Sequence, residues 1–138
     1  MKLAPDFTLP YIDSENNFTL SQQQGKVVIL TFWASWCTDC GIDMPKKEQL
    51  FQTMDHSKVS MLTINVTGRE RSIHDAEDYY DKFLTQPTLT DRGTKIYKLY
   101  KAKGVPTTVI INQEGELAFQ FNDKADFLDI VKAIGTLI

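Results

Sequence analysis

The sequence has no apolar run longer than a single strand, no basic cluster and no acidic tail. The first absence excludes a membrane-spanning helix, which needs about 20 consecutive, mostly apolar residues. The other two remove the usual footprints of nucleic-acid binding and of a disordered binding tail, because the 15 basic and 18 acidic residues are interspersed along the chain. Internal repeats and low-complexity stretches are missing too. The opening residues, Met1-Lys2-Leu3 followed by Ala4-Pro5-Asp6-Phe7, hold no apolar core of a secretory signal. Two placements stay open on these residues: the cytosol, or a site outside it with an N-terminal anchor removed and Met1 added. Cysteine and histidine are the scarcest functional residues, two of each. A structural zinc site takes about four such ligands. His56 and His74 show no paired ligand spacing, so no metal is expected and both histidines read as solvated. With 138 residues and an ample apolar fraction, one domain spanning 1–138 is expected.

What the sequence does have is Trp36-Cys37-Thr38-Asp39-Cys40, placed directly after the apolar run 27–33 and at the start of a helical stretch. Two thiols separated by two residues at a helix start can close a small disulfide ring. A Cys37 thiolate there faces unpaired backbone N–H groups and the positive end of the helix dipole, which makes it a nucleophile. An inert structural disulfide is a weak alternative, because so short a loop constrains the unfolded chain little. Dithiol–disulfide exchange is the strong reading.

Around that pair the chain reads as alternating strands and helices. Residues 7–20, with Pro5, Pro10 and the turn-like run Asp13-Ser14-Glu15-Asn16-Asn17, are extended segments and turns. Gly25-Lys26 punctuates the chain before strand 27–33, whose unbroken apolar character predicts a central strand buried on both faces. A helix from Cys37 to about Met54 carries Cys40, Met44, Phe51 and Met54 near one face, with a kink expected at Pro45. Residues 60–66 are a second strand. A helix over 73–84 has Ile73, Tyr80, Phe83 and Leu84 as apolar anchors, and a shorter one covers 94–100. Strands 107–111 and 116–121 form a hairpin around Asn112-Gln113-Glu114-Gly115, the second alternating as a strand near a sheet edge should. A last helix carries Phe127, Ile130, Val131, Ile134 and Leu137 on one stripe, capped by Asn122 or Asp123. This order predicts an α/β fold, a mixed sheet sandwiched by helices.

Three pieces taken together resemble the thioredoxin superfamily: Phe32-Trp33-Ala34-Ser35-Trp36-Cys37-x-x-Cys40, Pro45 five residues later, and Gly104-Val105-Pro106-Thr107-Thr108. The resemblance runs over essentially the whole chain. Ala4-Pro5-Asp6-Phe7-Thr8-Leu9 and the segment before Gly25-Lys26 narrow it to the ResA/TlpA-like branch of bacterial thiol–disulfide oxidoreductases. It implies a thioredoxin fold with an N-terminal extended or hairpin extension, and a protein-disulfide reductase working through Cys37 and Cys40 without a cofactor. A membrane thiol–disulfide transporter is the implied electron donor, and cysteines of apocytochrome c are among the branch's substrates. The branch usually works outside the cytoplasmic membrane on an N-terminal anchor. A monomer acting on protein disulfides, and not on nucleic acid, is expected.

Two departures from the family pattern carry chemical information. Plain thioredoxins hold a buried aspartate on the central strand where this chain has Thr31. Asp43, one helical turn beyond Cys40, stands where ResA-like proteins typically carry a glutamate, and is expected to manage the Cys40 proton; the alternative is a solvated helix aspartate. Thr38-Asp39 between the cysteines matches neither the thioredoxin pair nor the usual pairs of the branch. Asp39 suits the helix N-terminus but opposes thiolate formation, which favours a reductant over an oxidant. The resemblance further implies a cis Val105–Pro106 bond beside the sulfurs, with the Val105 backbone offered to an extended substrate segment. Trp36 is expected as a half-exposed lip of that surface, while Phe32 and Trp33 belong to the core.

Three rival functions are weighed against this reading. A peroxiredoxin places Thr or Ser three residues before its peroxidatic cysteine, where this chain has Ala34. A copper-handling protein would use both thiols as soft ligands, but lacks here a longer Cys spacing with a matching downstream His. A cytosolic general thioredoxin differs in being recycled by thioredoxin reductase.

Overall fold

The computed structural model describes residues 2–138. Its centre is strand β3 (Val27–Trp33), buried along its whole length. That explains an apolar run without alternation: Val28, Leu30 and Phe32 enter one core cluster, while Val27 and Ile29 enter another. β3 pairs in parallel with β4 (Val59–Asn65) and antiparallel with β6 (Thr107–Ile111). β7 (Leu117–Phe121) extends the β6 side and β5 (Thr88–Thr90) the β4 side, giving the order β5-β4-β3-β6-β7. The expected mixed sheet flanked by helices is therefore present, with the thioredoxin topology.

Helix α1 (Thr38–Thr53) leaves the end of β3 after a four-residue loop, which brings the cysteines to the edge of the buried sheet. The core cluster on one side gathers Phe7, Leu9, Ile96 and Tyr97 against β3. On the other side Ile130, Ala133 and Ile134 of helix α4 (Phe127–Gly135) pack with Phe51 and Met54 of α1. Helix α2 (Ile73–Phe83) and the short α3 (Lys95–Leu99) complete the layers. No helix among the described residues is long and apolar enough to cross a membrane.

The N-terminal segment forms a small hairpin, β1 (Thr8–Pro10) with β2 (Asn17–Thr19), as its turn residues predict. It also touches both edges of the large sheet. Leu3 bridges Glu116 beside β7, while Tyr11 bridges Leu89 of β5 and the Ile12 N–H donates to the Thr88 carbonyl.

Several local expectations are corrected. Strand β5 lies in a stretch the sequence pattern leaves unassigned; three residues after Pro87 carry no measurable period. Of the anchors expected for α2, Tyr80 packs against the core and Leu84, just past the helix end, is buried, but Ile73 and Phe83 are exposed and the buried residue within the helix is Ala76. The cap of α4 is Asp126, whose carboxylate accepts from the Leu128 N–H; Asn122 instead closes a turn by accepting from the Lys124 N–H. β7 is half-buried on both faces rather than cleanly alternating.

Candidate active site

Cys37 is the N-cap of α1, with extended backbone, and its sulfur accepts from the Cys40 N–H at 3.2 Å. This satisfies one of the orphan donors that every helix start carries. The Cys37 thiol donates in turn to the Val105 carbonyl at 3.3 Å, across the Val105–Pro106 bond, which is cis. Both cysteines are free thiols. Both cysteines are largely buried: Cys37 keeps 9% of its surface and Cys40 keeps 1%. Cys37 is the less buried of the two. The Cys40 thiol is pushed well above the ordinary thiol range, chiefly by burial, then by its hydrogen bond with Cys37 and by the negative charges of Cys37 and Asp43.

Asp43 lies one turn further along α1, its side chain 16% exposed, and lines a cleft of about 130 Å³ with Pro106, Thr108, Asp123 and Phe127. It is not a freely solvated aspartate. One oxygen accepts from Lys47 Nζ at 2.8 Å, and Lys47 is completely buried. The same ammonium donates to Thr31 Oγ1 at 2.9 Å and to Thr108 Oγ1 at 2.8 Å. Thr31 and Thr108 face each other across the β3–β6 ladder. The strand position that lacks an acid thus receives a cation from the helix above it.

The rim beside Cys37 is built from the loop after β4. Trp36 is 53% exposed, as a lip residue should be, and its indole N–H donates to the Arg69 carbonyl. The Arg69 guanidinium sits 5.7 Å from the Trp36 ring and 5.7 Å from the Tyr97 ring, while also donating to the Tyr97 hydroxyl. Gly68 allows this turn to press on the loop before α3: a Cβ there would stand 2.8 Å from the Gly93 carbonyl carbon. Glu70 grips the loop that leads into α1, accepting from the Ser35 N–H and hydroxyl and from Asn65 Nδ2. His56 and His74 are exposed and away from the sulfurs.

Cys37, Cys40, Asp43, Val105, Pro106 and Trp36 are accordingly gathered at one end of the sheet. Lys47, Arg69 and Glu70 are the residues that sequence reasoning missed. For Lys47 a signal existed: the apolar stripe Cys40, Met44, Phe51 on α1 has its gap at 47 and 48.

A cis-proline loop facing two thiols at the N-terminus of the first long helix, on a sheet of this order, defines a dithiol protein of thioredoxin fold. The chain belongs to the AhpC/TSA family, whose sequence model matches residues 1–120. Among curated relatives it is 35% identical over 117 residues to the thiol-disulfide oxidoreductase ResA of Oceanobacillus iheyensis, covering 83% of this chain and 60% of that protein. It is also 35% identical over 113 residues to the thioredoxin-like protein YneN of Bacillus subtilis, covering 81% of this chain and 65% of that one. The chain thus spans about three fifths of the length of the curated relatives it matches. The exposed lipoprotein thioredoxin of Streptococcus pneumoniae superimposes with a TM-score of 0.82 at 28% identity, over 96% of this chain and 100% of that one. These likenesses support the ResA/TlpA-like branch.

Proposed function

We propose that the protein is a thiol–disulfide oxidoreductase that reduces disulfides of protein substrates. The observation that carries this reading is the Cys37 sulfur, which caps α1 and lies between the Cys40 N–H and the Val105 carbonyl. The Cys37 thiolate attacks a substrate disulfide, forming a Cys37–substrate bond and releasing one substrate sulfur as thiolate. Cys40 then loses its proton and attacks the Cys37 sulfur. The Cys37–Cys40 bond forms, the mixed disulfide breaks, and the second substrate sulfur departs with a proton. The substrate gains two electrons and the protein loses two. Trp36, Val105 and Pro106 form the surface on which an extended substrate segment lies.

A membrane thiol–disulfide transporter is the proposed donor of the resetting electrons, apocytochrome c the proposed type of client, and the outer side of the cytoplasmic membrane the proposed place of work. The names of the relatives support this placement, as ResA proteins and an exposed lipoprotein. Equilibration against glutathione tests the direction of the reaction. The potential should fall nearer thioredoxin, about −270 mV, than the strong oxidants near −120 mV, and a value above about −180 mV defeats the reductase reading.

Asp43 is proposed as the acceptor of the Cys40 proton, since it lies one turn away and reaches the cleft. Asp43→Asn should lower the Cys40 pKa, because the charge that opposes the thiolate is gone, yet slow resolution of the mixed disulfide. Titration of the thiolate absorbance and single-turnover exchange read the two effects separately. If neither moves beyond a few tenths of a pH unit or a twofold rate, Asp43 has no part in the exchange.

A further inference from the structure

Lysine is almost never fully buried without a partner, and an isolated ammonium in an apolar interior is strongly disfavoured. Lys47 is fully buried with three partners, and their number fits the charged form: an ammonium has three N–H donors and no acceptor. The acceptors come from three elements, Asp43 of α1, Thr31 of β3 and Thr108 of β6. Apart from Glu48, the other buried positions of this helix are apolar, and apolar packing in place of a buried ion pair is often as stable or more so. Stability alone therefore gives little reason for a lysine here. Its place in the fold does: Asp43 and Thr108 line the cleft, and Cys40 lies on α1 one turn before Asp43 and two before Lys47.

We propose that Lys47 is a positioning residue for Cys40: its buried ammonium holds the Asp43 carboxylate in place and offsets its charge, so that the second cysteine can lose its proton in the resolving step. The inference rests on the thiol-exchange reading above. Without the ammonium, Cys40 would form a thiolate beside an uncompensated carboxylate, in a site that burial already makes hostile to charge. With it, the proton leaves Cys40 for Asp43 and the cleft while the site carries no excess negative charge. Burial pushes the Lys47 pKa below the ordinary lysine range, and the charge and hydrogen bond of Asp43, with the charge of Cys40, offset this only in part; the same attraction acts in reverse on a Cys40 thiolate. The charged groups facing Lys47 are Asp43 and Cys40 from its own helix. β3 and β6 contribute only the two hydroxyls, and Asp39, Lys46 and Asp123 line the cleft outside.

The test is single-turnover exchange with an aromatic disulfide whose released thiolate is coloured, followed from about pH 6 to 9. Lys47→Met should slow the resolving phase about tenfold or more across this range, because Cys40 stays mostly protonated throughout and each unit of upward shift removes about nine tenths of its remaining thiolate. Lys47→Gln, which can still hydrogen-bond to Thr31 and Thr108 but has no charge, should show the same slowing. Wild-type behaviour of the glutamine variant, or slowing in both variants without an upward shift of the Cys40 titration, overturns the proposal. In the wild-type protein the Lys47 Nζ resonance must be that of an ammonium at neutral pH, and an amine signal overturns it whether or not the variants fold. Direct titration of Cys40 in a Cys37→Ser background, with and without Lys47→Met, reads the coupling without substrate. A wild-type protein unable to exchange disulfides would defeat the functional reading, whereas an unmoved Cys40 titration would defeat only the role of Lys47.

Discussion

Cys40→Ser should accumulate a mixed disulfide between Cys37 and its substrate, and Cys37→Ser should accumulate none. The asymmetry follows from where the sulfurs lie. Cys37 is the less buried of the two cysteines and sits at the helix mouth, where the Cys40 N–H already hydrogen-bonds to its sulfur. A thiolate there keeps that bond and gains the favourable end of the helix dipole. Cys40 is enclosed and its thiol is held protonated by burial, so it meets no external disulfide and reacts only with a sulfur presented from Cys37. Disulfide-reductase turnover should fall to the uncatalysed background in both variants, but only Cys40→Ser should retain the first step. Non-reducing electrophoresis with an alkylation quench checks the adduct. Faster labelling of Cys40 than Cys37 in the reduced wild type would reverse the assignment.

The second large effect concerns stability. Glu48 is almost wholly buried, and its carboxylate accepts from the Thr85 N–H and hydroxyl and from the Gln86 N–H and side-chain amide. These four bonds tie α1 to the segment joining α2 to β5, whose own grip on the sheet includes the Pro87 carbonyl accepting from the Thr63 N–H. Glu48→Ala leaves the two buried Gln86 donors without their acceptor, while the exposed Thr85 can turn to water. Unsatisfied buried groups cost about 1–3 kcal/mol each, partly relieved by water, so a loss of about 3 kcal/mol is expected. The urea midpoint should fall by about 1–2 M, and Glu48→Gln, which keeps one acceptor oxygen, should lose less. An unchanged midpoint in Glu48→Ala would mean that water replaces the carboxylate at no cost.

These two predictions differ in how far the sequence leads to them. The thiol pair was legible because its chemistry is local: two cysteines, a helix start and the preceding apolar strand lie within fifteen residues of one another. The opposing Val105–Pro106 segment was found through the family resemblance, since the bland reading of an isolated Val-Pro is a trans bond. Glu48 and Lys47 were not found. Asp43 and Lys47 stand four apart on a helix, a spacing that usually marks a pair on a solvated surface. Only the β3–β6 register sets Thr31 opposite Thr108, and only the seating of α1 on those strands encloses the lysine. Glu70 escaped for a similar reason, because its three donors belong to Ser35 and Asn65, on other elements. Core strands were read closely, β4 within a residue at each end, whereas the short edge strand β5 was missed.

The N-terminal segment has a role that its modest hairpin conceals. The five strands span about 19 Å from edge to edge, at about 4.8 Å per pairing. Residues 3 to 11 cross that distance, meeting the β7 side at Glu116 and β5 at Leu89, with Phe7 and Leu9 sunk into the core between them. A single strap therefore guards both flanks of the sheet, where unpaired backbone would otherwise recruit strands from neighbouring molecules. Its detachment would unguard the two flanks together and leave both edges open as templates for polymer growth.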